Sequence, residues 1–132
     1  MGVYTGIAKD NVTINSGNAR LDSMGYTSAT FGTVTQATNK STAVTLNTMT
    51  GRITMNGASL AASTDVIFTL NNSNLAGNDL IVVNIAGGGT PGSYRLDVCC
   101  NVAGSAVLKL RNTTGGALSE PVQVLFAVIK VG

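Results

Sequence analysis

From residue 33 onward the chain is a series of short segments in which apolar and polar residues alternate, broken by Gly and Asn. The breaks fall at the roughly 8–12-residue spacing typical of β-sandwiches and barrels. Alternation with a period of two marks a strand with one face on a core and one in water. In residues 65–70, Val66, Phe68 and Leu70 share a face, opposite Asp65 and Thr69. In 94–100, Tyr94, Leu96, Val98 and Cys100 share one, with Arg95 and Asp97 pointing away. In 106–111, Ala106, Leu108 and Leu110 oppose Val107, Lys109 and Arg111. Further strands are expected over 33–36, 43–47, 52–55 and 80–86, the last with Ile81, Val83 and Ile85 toward the core. Turns are expected at Thr50 and Gly51 and over 71–78, 87–92, 102–105 and 113–119, which makes 94–101 and 106–112 a hairpin. Only 57–63, GASLAAS, leans toward helix, and it is too short to stand alone.

The last segment, PVQVLFAVIKV at 121–131, breaks the pattern. Val122, Val124, Phe126 and Val128 form one apolar face, and Leu125, Ala127, Ile129 and Val131 form a second. A strand apolar on both sides needs cover on both. Two arrangements provide it: a central strand covered by its own chain, or a second face packed on a neighbouring subunit.

Residues 1–31 lack a sustained period. Val3, Tyr4, Ile7, Val12, Ile14, Leu21, Met24, Tyr26 and Phe31 are scattered among Gly, Asn, Ser and Thr. They suit either an extended arm whose aromatics anchor on another protein or extra strands of the same sandwich. The expectation is an all-β, antiparallel β-sandwich, jelly-roll-like, over 32–132, with an extended N-terminal arm over 1–31.

The chain has 132 residues, enough for one domain. Charged residues make up 11%, against about 25% in an ordinary soluble domain. The net charge of +2 is small and scattered, so no nucleic-acid partner is expected. There is no apolar run of about 20 residues to span a bilayer, so no membrane partner is expected either. Little charge and much apolar surface favour association. The opening MGVYTGIAKD has no basic stretch leading into an apolar one, which suggests synthesis in a cytoplasm.

Histidine is absent, which removes histidine triads and histidine metal sites from consideration. The acids Asp10, Asp22, Asp65, Asp79, Asp97 and Glu120 form no close pair in sequence. Asp65 and Asp79 are read as turn closers at strand starts, and Asp97 as a cross-strand partner of Lys109 or Arg111. The glycines at 87–89 are followed by Pro91 and a strand, where a phosphate loop needs a helix. Cys99 and Cys100 are adjacent and fall short of a zinc site. They are read as two small strand residues, with a redox pair as the sharper alternative. No cofactor, metal or enzymatic activity is expected.

Two stretches carry a resemblance. GTVTQATNKSTAVTL at 32–46, followed by Gly51-Arg52-Ile53-Thr54-Met55, opens the region, and FAVIKVG at 126–132 closes it. Between them lie Phe68-Thr69-Leu70-Asn71-Asn72-Ser73, Val82-Val83-Asn84 and Leu118-Ser119-Glu120. Together, over about residues 32–132, they resemble a small β domain of tailed-bacteriophage structural proteins, most like a capsid decoration (cement) protein. The resemblance implies a β-rich, commonly trimeric head accessory on the outer capsid surface, partnered by itself and the major capsid protein. It implies no catalytic residues. The candidate capsid or subunit interface comprises Tyr4, Ile7, Val12, Ile14, Tyr26 and Phe31 of the arm and Leu125, Ile129 and Val131 of the last strand. The competing expectation is a head- or tail-fibre domain that binds a host surface glycan, with Tyr26 and Phe31 as the aromatics on which a sugar ring could stack.

Overall fold

The structure, a computed structural model, describes residues 25–131. Eight strands follow a three-residue 3-10 turn at Ser28–Thr30: β1 (Phe31–Thr35), β2 (Val44–Thr45), β3 (Thr50–Thr54), β4 (Asp65–Asn71), β5 (Leu80–Gly87), β6 (Tyr94–Val102), β7 (Ser105–Asn112) and β8 (Gln123–Ile129). They form two four-stranded sheets that pack as a sandwich. The first has the order β1-β3-β8-β5 and the second β2-β4-β7-β6.

The expected all-β sandwich is present, but its sheets are mixed, not purely antiparallel. β1 runs parallel to β3, and β2 parallel to β4. The cause is the winding. The chain crosses from one sheet to the other at every step from β1 to β6. A chain that reverses at each crossing returns to its first layer running the way it left, so strands two apart are parallel. For the same reason Thr50 and Gly51 are not a turn. They open β3, and the chain changes sheets over residues 46–49. The 57–63 segment forms no helix; it is held by paired backbone hydrogen bonds between Leu60 and Leu118. The β6–β7 hairpin forms as expected, turning on Gly104 at φ 83°.

Inner residues of both sheets interdigitate in one core. Ile53, Met55, Leu70, Leu108, Leu110, Val122, Val124 and Val128 are fully buried, with Phe68 and Phe126 beside them. Phe126 fits because it lies opposite Gly51, whose missing side chain leaves room for the ring. The register aligns Gly32, Gly51, Phe126 and Val83 across the four strands of the first sheet. A Cβ at Gly51 would lie 2.9 Å from the Phe126 ring and 2.6 Å from Leu46, while one at Gly32 would lie 2.7 Å from Leu46.

Buried amides lock the loops. The Asn112 side chain donates to the carbonyls of Leu60, Ala61 and Gly116 and accepts from Thr114. Asn72 donates to the Thr48 carbonyl and accepts from Asn74 N. Gln36 donates to the carbonyls of Lys40 and Thr42 and accepts from Asn56 N. Each satisfies backbone groups that irregular segments would otherwise leave unpaired.

Candidate functional site

The most distinctive surface is the outer face of the first sheet. Strand alternation and pairing set its rows. Phe31, Thr50, Ala127 and Val82 form one row, and Thr33, Arg52, Leu125 and Asn84 the next. Leu80 and Ile129 pair at the same end as Phe31. Leu80 is 58% exposed, Val82 53%, Ile129 46% and Phe31 44%, with Leu125 and Ala127 half-buried between them. Arg52 is the one charged residue at the outward positions of these four strands. Val131, just past β8, is also exposed. Such a cluster is unusual on a monomeric surface, where apolar residues are normally scattered.

Of the expected interface residues, Phe31, Leu125 and Ile129 are brought onto this one face, and Val131 follows at the end of β8. Tyr26 is fastened by its hydroxyl, which donates to the Val128 carbonyl, while much of its ring stays exposed. Phe31 is the first residue of β1. Tyr4, Ile7, Val12 and Ile14 lie outside the described residues. Leu80 and Val82 belong to the face and were missed. The signal was present: the run Leu80-Ile81-Val82-Val83 is apolar on both strand faces, as β8 is.

Asp97 and Asp79 occupy the roles expected of them, whereas Asp65, expected to close a turn, pairs instead with Arg111 of the neighbouring strand, and Asp10 and Asp22 lie outside the described residues. Asp97 pairs with Lys109 at 3.5 Å, and Asp65 with Arg111 at 2.8 Å. Asp79 accepts from Ala76 N at 2.7 Å, closing the turn before β5, and its buried carboxylate also takes Lys130 Nζ at 2.5 Å. The Lys130 hydrogen bond, followed by that from Ala76, holds the Asp79 carboxyl below its ordinary range.

A second feature lies at the Gly-rich loop before β6. A cleft of about 320 Å³ is lined by Ile85, Thr90, Pro91, Tyr94 and loop glycines. Glu120 lies nearby, its Oε1 accepting from the Thr90 hydroxyl at 2.7 Å. That hydrogen bond holds the Glu120 carboxyl low. Buried Lys40 donates to the Asn56 and Glu120 carbonyls, each at 2.5 Å, and burial lowers its ammonium's pKa against the pull of Glu120. Burial, then the Glu120 carboxylate, raises the Tyr94 phenol. The Tyr94 hydroxyl and Glu120 Oε2 are buried with no well-formed hydrogen bond. The contacts of Lys40 and Glu120 tie four loops together.

Among the described residues, no group of three or more metal-binding side chains converges, and no helix is long and apolar enough to cross a membrane. Comparison with protein-family models, with curated proteins and with solved structures finds no match.

Proposed function

We propose that this chain is a non-enzymatic structural protein of a tailed-bacteriophage virion, a decoration protein that binds the outer capsid surface and stabilises the shell. In this reading it is made in the host cytoplasm and associates as a homotrimer. Each copy contacts its neighbours and the major capsid protein through the outer face of the first sheet, while residues 1–31 extend the contact as an arm. The observation that carries the reading is the near-uncharged apolar face of Leu80, Val82, Leu125, Ala127 and Ile129, bordered by Phe31. We read the domain as jelly-roll-like because the chain alternates between its two sheets from β1 to β6. The resemblance in residues 32–132 supplies the virion setting, and the rigid, loop-locked sandwich suits a load-bearing part. Weak contacts repeated in each copy gain avidity when copies are joined.

The test is a double variant, Val82→Lys with Ile129→Lys. The unaltered protein is expected to have a trimer's mass in solution and to bind purified heads that lack it. The variant should stay folded, become monomeric and fail to bind. A monomeric parent protein, or a variant that binds heads equally well, would refute the proposal.

The second reading is a fibre domain that binds a host surface glycan. The cleft beside Tyr94 and Pro91 favours it, as a concave site with polar groups nearby. Two observations weigh against it: the Tyr26 hydroxyl is engaged by Val128, and Asn72, Asn112 and Gln36 spend their amides on loop backbone. Glycan-array binding by the isolated protein, lost in Tyr94→Phe, would favour this reading.

A further inference from the structure

The adjacent cysteines are not arranged as strand neighbours should be. In a regular strand successive side chains point to opposite faces. By that rule one of Cys99 and Cys100 should enter the core and the other face water. The register of β6 against β7 shows otherwise. Val98 lies opposite Leu108, and Cys100 lies opposite Val107, so two steps along β6 match one along β7. Cys99 is the extra residue of a β-bulge.

The bulge moves Cys100 across the sheet. Leu108 is buried and Val107 points outward, in line with Lys109. Asp97 faces outward to Lys109 and Val98 faces inward, so alternation turns Cys99 outward. The bulge then places Cys100 on the outward side as well. Both thiols are free and exposed. They lie on β6, which is the edge strand of the second sheet among the described residues.

We propose that Cys99 and Cys100 form a vicinal dithiol site for a thiophilic metal or metalloid centre, of the class represented by trivalent arsenic. Two sulfur atoms on neighbouring residues and on one face can close a small chelate ring on such a centre, whereas two on opposite faces cannot. Soft centres prefer thiolate ligands, and a two-point chelate outlasts single-thiol ligation. With an aryl arsenoxide, two As–S bonds form, the arsenic–oxygen bond breaks, and both thiol protons leave in one molecule of water. Nothing is oxidised or reduced. The chain has no other cysteine, so any bound arsenic reports this site.

The test is titration of the folded, reduced protein with phenylarsine oxide, read by intact mass and by free-thiol count. The expected result is one adduct per chain, with the thiol count falling from two to zero. The adduct should survive a large excess of a monothiol and be removed by a competing dithiol. Cys99→Ser and Cys100→Ser should each abolish monothiol-resistant binding. A rearranged variant, Val98→Cys with Cys100→Val, keeps two adjacent cysteines but turns one inward. It should lose monothiol-resistant binding at least tenfold while folded. Equal binding by that variant, or an adduct on the parent protein that a monothiol strips, would overturn the proposal.

Discussion

The two sheets are alike on their inner faces and opposite on their outer ones. Inside, each presents a Phe and aliphatic side chains to a shared core, Ile and Val from the first sheet and Leu and Val from the second. Outside, the second sheet carries Asp65, Arg95, Asp97, Lys109 and Arg111, and its β4–β7 and β6–β7 pairs place Asp65 against Arg111 and Asp97 against Lys109. The first sheet carries only Arg52. A face like this is largely finished: its long side chains are solvated, and four of its five charges stand in opposite-sign pairs. A face of exposed Leu, Val and Ile remains costly in water, at about 25 cal/mol for each Å² that stays wet. The contrast marks the apolar face more sharply than either face does alone.

Phe126→Ala sets the energy scale for the shared interior. It should cost about 3–5 kcal/mol in chemical denaturation, since the buried ring fills the space over Gly51. Gly51→Ala attacks the same contact from the other side and should cost about 1–3 kcal/mol, because its methyl would overlap Phe126 and Leu46.

The outer faces are then compared directly. Val82→Lys and Ile67→Lys each put a charge on a residue slightly more than half exposed, one on each sheet. Each should change the stability of the isolated chain by about 0.5 kcal/mol or less. Only Val82→Lys should lower the mass measured by light scattering; equal loss of assembly from both would erase the distinction between the faces. The charged face predicts the smallest change. Asp97→Asn should shift stability by well under about 1 kcal/mol, because the Lys109 pair is solvent-exposed.

Acid should act at the end of the apolar face. The folded-state value of the Asp79 carboxyl lies below its ordinary 3.8, so its contribution is complete above that value and disappears as pH falls through the folded one. Melting temperature followed from pH 6 to pH 2 should fall, and Asp79→Asn should flatten that fall. An unchanged profile in the variant would assign the acid sensitivity elsewhere.

The strands were legible because alternation is local. Val66, Phe68 and Leu70 announce their face without knowledge of any partner, and the same holds for Ala106, Leu108 and Leu110. The parallel pairings were not legible, because they arise from which sheet each crossing enters, and no residue in 36–49 encodes that by itself. The face of Cys100 was misplaced for a related reason. A bulge is defined by the opposite strand, and Cys99 has no glycine or proline to mark it. The apolar face was half legible: the double apolar pattern of β8 pointed to Leu125 and Ile129, and the same test on β5 would have added Leu80 and Val82. Glu120 and Lys40 meet across 80 residues of chain, a separation over which sequence pattern is silent.

Among the described strands, β8 lies between β3 and β5 and joins them into one sheet. During synthesis, therefore, the first sheet stays in two pieces, a β1–β3 ribbon and a lone β5, until residue 129 has cleared the ribosome. Until then Val83 and Ile85 lack the β8 neighbours Phe126 and Val124 that flank them in the finished sheet. Truncation within β8 should yield an aggregate, not a smaller domain.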